Sequence, residues 1–197
     1  MQNKTGTPSK FQPLQLPQSP VASSPNKNLT GSPRVVRDIA ADLYNTIQSW
    51  NSFYIKGAQI VKQIAILKAD NMDVYSTELE EYTNALYTCV QGLKQCEEKL
   101  QLSKHQLCAL KKVERKLEPL FISLNINDIV DLVDTIANSY VEEFKVKEIV
   151  LENIAHAKNK DEVMFFAACW TLQPNITDQI NLKVEALLVE TGHKKAS

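Results

Sequence analysis

Between Arg34 and Lys68 the apolar residues return every seventh position. Val36, Leu43, Trp50 and Ile64 lie on one seam with Gly57 among them, and Ile39, Phe53, Ile60 and Leu67 lie on the other with Thr46. A repeat of seven keeps one side of a helix apolar over its whole length and predicts a coiled-coil strand. Ala40, Ile47, Tyr54 and Val61 widen the stripe beyond a two-stranded seam, so this helix wants more than one helical neighbour. A single apolar face does not offset the ordering entropy of so long a helix. Its partners must come from elsewhere in the chain or from a second protein.

A second heptad run follows. Leu79, Leu86, Leu93, Leu100 and Leu107 form one seam, and Tyr82, Cys89, Cys96, Ser103, Leu110 and Leu117 the other. Gly92, Lys99 and Gln106 beside them make this seam narrow, the pattern of a strand that pairs closely with one neighbour. For the first helix, Ser32 is the expected N-cap, with Pro33 at the first helical position and an end near Ala69. For the second, Thr77 and Glu80 have capping-box spacing and Pro119 is the expected stop. The loop between them, roughly eight residues, permits an antiparallel hairpin and equally permits each helix to pair with an outside one.

From Pro119 to Ile126, Leu120, Ile122, Leu124 and Ile126 alternate with Phe121, Ser123 and Asn125, which argues for an extended segment. A lone strand would leave its edges unpaired, so an irregular clip is the preferred reading. Asn127 is the expected cap of a third helix running to about Lys158, with Ile129, Val133, Ile136, Tyr140, Phe144, Leu151 and Ile154 at helical spacing. Asp161 opens a short, almost wholly apolar helix through Leu172 that Pro174 breaks. Thr177 begins the last helix, with Ile180, Val184, Leu187 and Leu188, and Gly192 is placed to end it in a left-handed turn. The expected fold is all-α, in three parts: a tail over 1–33, two long heptad helices over 34–118 as a hairpin or a hetero-coiled coil, and a smaller helical unit over 119–194.

Composition refines this picture at the start of the chain. Six of the eight prolines fall within residues 1–33, among Ser, Gln, Asn and Thr, a mixture too poor in apolar surface to fold, so a disordered tail is expected. Thr7-Pro8-Ser9-Lys10 and Ser24-Pro25-Asn26-Lys27 fit the pattern preferred by proline-directed kinases, which makes Thr7 and Ser24 candidate phosphorylation sites. Lys4, Lys10, Lys27 and Arg34 stand there without an acid, so the remainder is mildly acidic and a poor match for a phosphate backbone. The chain opens on polar residues rather than a secretory signal, and its longest apolar run, Val163 to Trp170, is too short for a bilayer. An intracellular, soluble protein is expected, with no membrane and no direct nucleic-acid partner.

Candidate chemistry is sparse. Cys89, Cys96, Cys108 and Cys169 show no metal-ligand spacing with the three histidines and read as reduced core residues. His105 and Cys108 share a helix face without a third orienting group, and His156 suits a helix end. No glycine-rich loop offers a phosphate cradle. Lys111, Lys112, Arg115 and Lys116 are interrupted by Glu114 and read as a solvated helix end. Arg115-Lys116-Leu117 fits a short cyclin-docking pattern that a helix would hide. No catalytic residue, cofactor or metal is expected. The rival readings are a Cys/His hydrolase built on Cys108 or Cys169, a nucleic-acid adaptor acting through the basic tail, and a generic helical scaffold or tether.

Several stretches together resemble the cyclin-dependent kinase 2-interacting protein family. They are Arg37-Asp38-Ile39-Ala40-Ala41-Asp42 with Asn45, Ile47, Trp50 and Gly57, Leu67-Lys68, Pro119-Leu120-Phe121, Ala155-His156 leading to Trp170-Thr171-Leu172-Gln173-Pro174, and Leu188-Val189-Glu190-Thr191-Gly192-His193. The resemblance reaches from about residue 34 to 194, and its most specific element is Glu-Thr-Gly-His. It implies a non-enzymatic adaptor that associates with cell-cycle kinase and replication-checkpoint complexes. It also implies a place beside another coiled-coil subunit on an AAA-type ATPase acting on replication or preribosomal substrates, in the nucleus or also the cytoplasm. On that reading the expected partner-binding residues are the seam positions Val36, Leu43, Trp50, Phe53, Ile60, Ile64, Leu67, Leu79, Leu86, Leu93, Leu100 and Leu107.

Overall fold

The computed structural model describes residues 29–70, 76–114 and 118–195. Thr7, Ser24 and the Arg115-Lys116-Leu117 stretch lie outside the described residues. Five α-helices follow in order: α1 (Ser32–Asp70), α2 (Thr77–Val113), α3 (Ile126–Asn153), α4 (Lys160–Leu172) and α5 (Asp178–Glu190), with a short 3-10 turn, Ile154–His156, after α3.

The two heptad helices fold back on each other as a hairpin. The Ser32 hydroxyl, at the start of α1, donates to Glu114 Oε2 at 2.6 Å, just past the end of α2. α3 runs back along α2, where Lys104 on α2 donates to Asn138 on α3 at 3.0 Å. α4 and α5 then return along α1 and α3 as one helix broken in two: the end of α4 meets Trp50 and Tyr54, and the turn after α5 meets Arg37. The result is an up-down-up-down four-helix bundle whose fourth member is interrupted around Pro174. Both long helices and all three C-terminal ones contribute to one apolar core, from Val36 and Leu93 to Ile129, Trp170 and Leu187.

Several helix ends differ from the sequence expectation, each for a local reason. Ser32 lies inside α1 rather than capping it, because the Val35 N–H already reaches the Gly31 carbonyl at 3.3 Å. Ser76, not Thr77, caps α2, its Oγ accepting the Leu79 N–H at 3.2 Å. α2 stops at Val113, well before Pro119, level with the start of α1, and the Glu114 N–H closes its last turn on the Leu110 carbonyl at 2.9 Å. Asn125 caps α3 in place of Asn127, in a reciprocal capping box with Asp128, and this brings the buried Ile126 onto the helix. α3 ends at Asn153 rather than near Lys158, since Ile154 and Ala155 are buried in the tighter turn that follows. Asn159, not Asp161, caps α4 by accepting the Glu162 N–H at 2.9 Å.

Residues 118–125 form the irregular clip rather than a strand. Their backbone is held by one carboxylate: Glu190 Oε1 accepts the N–H groups of Ile122, Ser123 and Leu124 at 3.0, 2.6 and 2.7 Å, and Oε2 accepts the Ser123 hydroxyl at 3.1 Å. Gly192 turns with φ 74°, as expected of a left-handed helix end, and lets His193 donate from its Nε2 to the Arg37 carbonyl at 2.8 Å.

Burial alone would push the Glu190 carboxyl up, yet the N–H groups of Leu124, Ser123 and Ile122 with the Ser123 hydroxyl outweigh it and hold it below the ordinary carboxylate value. A carboxylate so held stabilises the fold fully above its unfolded pKa and loses that contribution as pH falls through the folded value. Glu190→Gln should therefore cost about 2 kcal/mol at neutral pH. Urea unfolding should show the gap to wild type closing as the pH is taken below about 4.5.

Two glycines mark close approaches. A Cβ on Gly57 would fall inside the fully buried indole of Trp170, and one on Gly92 would fall 2.5 Å from the half-buried ring of Phe53, which would have to move. Gly57→Ala should lower stability by about 1–3 kcal/mol. In Gly92→Ala the displaced Phe53 ring should cost stability against a gain of up to about 1 kcal/mol in helix propensity, so thermal denaturation should shift down by less than in Gly57→Ala.

Candidate protein-binding groove

The end of α4 is fastened to α1 and α3 by polar contacts that meet around one buried cation. Lys147, on α3, has no exposed surface, and neither has its partner Glu143; their Nζ and Oε1 lie 2.6 Å apart. The ammonium also donates to the Trp170 carbonyl at 2.7 Å and the Cys169 carbonyl at 3.3 Å, two of the unpaired acceptors at the C-terminus of α4. It stands 5.2 Å from the Trp170 ring and 5.6 Å from that of Tyr54. Glu143 Oε2 accepts the Asn175 N–H at 2.9 Å, just past the break in the fourth helix. Burial pulls Lys147 down from the ordinary lysine value while the Glu143 carboxylate works against that pull.

Around this cation α1 and α4 exchange hydrogen bonds. The Trp170 indole N–H donates to the Tyr54 carbonyl at 3.1 Å, the Tyr54 hydroxyl to the Thr171 carbonyl at 2.7 Å, and the Trp50 indole N–H to Gln173 Oε1 at 3.1 Å. Gln173 sits at φ 42°, in the left-handed region, where it ends α4. The Trp50 ring meets Tyr140 edge to face at 5.0 Å.

With α4 fixed in this way, an apolar groove of about 830 Å³ remains on the outer side of α1 and α4. Small side chains, Ala58, Ala65 and Ala168 among them, line it, and Ile55, Ile66, Met164 and Leu172 stand exposed beside them. Lys62 is its one charged lining residue among the described residues.

The seam residues expected to bind a partner lie elsewhere. Val36, Leu43, Trp50, Ile64, Leu79, Leu86, Leu93, Leu100 and Leu107 are buried, and Phe53, Ile60 and Leu67 are half-buried against the same core. In this fold those side chains are satisfied within the chain. Of the groove residues, Tyr54 and Val61 belong to the widened stripe of α1, whereas Ile55 and Ile66 fall outside both heptad seams and went unmarked in the sequence. The available signal was α4 itself, more apolar around its circumference than one buried face requires.

Burial pushes the Cys89 and Cys96 thiols up, away from the reactive thiolate, and His105 is exposed on α2. Among the described residues no group of three or more His, Cys, Asp or Glu is placed to hold a metal ion. No described helix is long and apolar enough to cross a membrane.

No protein-family model matches the chain. A cyclin-dependent kinase 2-interacting protein of Bos taurus is 27% identical over 195 residues, spanning 84% of this chain and 92% of that protein. That of Homo sapiens is 26% identical over the same shares, and that of Xenopus laevis is 23% identical over 201 residues, 89% of this chain and 97% of its own. The chain resembles the cyclin-dependent kinase 2-interacting proteins over most of its length. The stretches that carried this resemblance in the sequence come together in space as fasteners: Trp50 and Gly57 receive Trp170 and Gln173, and Glu190 to His193 tie the 118–125 clip and the start of α1 to α5.

Lys147→Met would leave the Glu143 carboxylate buried with no cation and should cost roughly 3–5 kcal/mol. The Glu143→Gln/Lys147→Met double variant should recover a large part of that loss, read as the difference in urea midpoint among the three chains.

Proposed function

We propose that this chain is a non-enzymatic helical adaptor that bridges cell-cycle kinase and replication-checkpoint machinery to an AAA-type ATPase complex. The observation that carries this reading is its similarity, across 84% of its length, to proteins named for their interaction with cyclin-dependent kinase 2. The adaptor further sits, on this reading, beside another coiled-coil subunit on an AAA-type ATPase that acts on replication or preribosomal substrates, and works in the nucleus. An exposed apolar groove beside an otherwise closed core supports a protein partner over a small substrate: among the described residues its walls carry only Gln59, Lys62, Thr171 and the Tyr54 hydroxyl as side-chain polar groups, too few to orient reacting atoms.

The test is affinity capture of the tagged full-length chain from dividing cells, followed by blotting for cyclin-dependent kinase 2 and by mass spectrometry for an AAA-type ATPase. Retention of the kinase by wild type and by Leu182→Ala, a substitution at an exposed site away from the groove, is the expected result. Recovery of neither kinase nor ATPase would overturn the proposal and leave a helical scaffold of another complex.

A further inference from the structure

We propose that the groove between α1 and α4 takes an amphipathic helix of another protein, whose apolar stripe carries one carboxylate at its middle to pair with Lys62. This deepens the adaptor reading and rests on it. The lining runs from Tyr54 to Ala69 on α1, roughly 22 Å at the rise of an α-helix, or about four turns. Both walls are helices, and their interior backbone groups are already bonded within them. An extended peptide would find no edge to pair with, while a helix brings its own backbone bonds and needs only an apolar stripe to lay down. Small residues along the lining allow close approach, and the exposed Ile55, Ile66, Met164 and Leu172 supply the large contacts.

Charge selects among the occupants. Lys62 is exposed, stands midway along the α1 wall, and no carboxylate lines the groove among the described residues. A second copy of this chain, seated about a two-fold axis through the middle of the groove, would bring Lys62 against its own copy in an apolar interface. The chain's first 28 residues supply Lys4, Lys10 and Lys27 but no acid, so they bring no carboxylate to Lys62. A foreign helix with an Asp or Glu at the centre of its stripe meets both requirements.

The test uses two hydrocarbon-stapled peptides of about 18 residues, matched to the groove's length. They share a Leu/Ile/Ala stripe and differ only in a central Glu or Lys. Each is titrated by fluorescence anisotropy against the full-length chain and its Lys62→Glu and Ala168→Arg variants, both at exposed positions. The Glu peptide should bind wild type about tenfold more tightly than the Lys peptide, Lys62→Glu should reverse that order, and Ala168→Arg should weaken both. Equal binding of the two peptides, no binding by either, or an order unchanged by Lys62→Glu would overturn the proposal. So would a concentration-dependent dimer abolished by Ala168→Arg, or binding that appears only once residues 1–28 are removed, since these assign the groove to a second copy or to the chain's own tail. Kinase capture is measured separately, so intact capture without charge-selective binding removes the groove, while charge-selective binding without capture removes the kinase.

Discussion

A lysine ammonium with no access to water must be matched from every side, and Lys147 is matched by three helices at once. Its own helix α3 supplies the Glu143 carboxylate, α4 supplies two terminal carbonyls and an indole face, and α1 supplies the ring of Tyr54. The desolvation of a buried ion is so expensive that the set has to be nearly complete to be tolerated. Its geometry is correspondingly demanding. α4 must end where its last carbonyls reach Nζ, and the chain must then turn so that Asn175 reaches the other oxygen of Glu143. The break in the fourth helix, its docking on α1 and the apolar groove on its outer side follow from the same requirement.

The rest of the bundle is ordinary by comparison. Two heptad seams close on each other and on α3, the hydroxyls of their polar members Thr46 and Ser103 being returned to their own helices, and Gly57 makes room for Trp170 against α1. At the other end, one carboxylate, Glu190, does for the clip what a short strand pairing would otherwise have to do. The fold places polar contacts at the break and at the far end of the fourth member, while the long pair is held mainly by hydrophobic packing, with a Ser32–Glu114 hydrogen bond between its ends. An adaptor benefits from this division, since a surface formed on a rigid bundle presents its contacts with less ordering cost on binding.

Periodicity made the helices legible: the sevenfold repeats of Val36 to Ile64 and Leu79 to Leu107 gave both long elements and the width of the first stripe, and the alternation after Pro119 gave the clip. Caps were read one or two residues late, because Ser76 and Asn125 each stand next to another acceptable cap. Periodicity carries no information about which chain a seam faces, so the assignment of Leu93 or Trp50 to an outside partner had no means of weighing α3 and the returning fourth helix as the cover. Lys147 was illegible for a different reason. A lysine within an amphipathic helix reads as solvent-facing unless the sequence reveals what will be brought over it, and here that is a helix end 23 residues further on. Glu190 likewise reads as the polar end of a helix until the distant backbone it binds is placed beside it.

The central claim is that the apolar edges of both long helices are closed by the chain itself, leaving the α1 and α4 groove as the surface for others. Amide hydrogen exchange on the isolated full-length chain at several concentrations tests this most directly. The account predicts slow exchange from Leu79 to Leu107 that does not change with protein concentration. Fast exchange along that seam at low concentration, slowing as the protein is concentrated or as a coiled-coil partner is added, would contradict it.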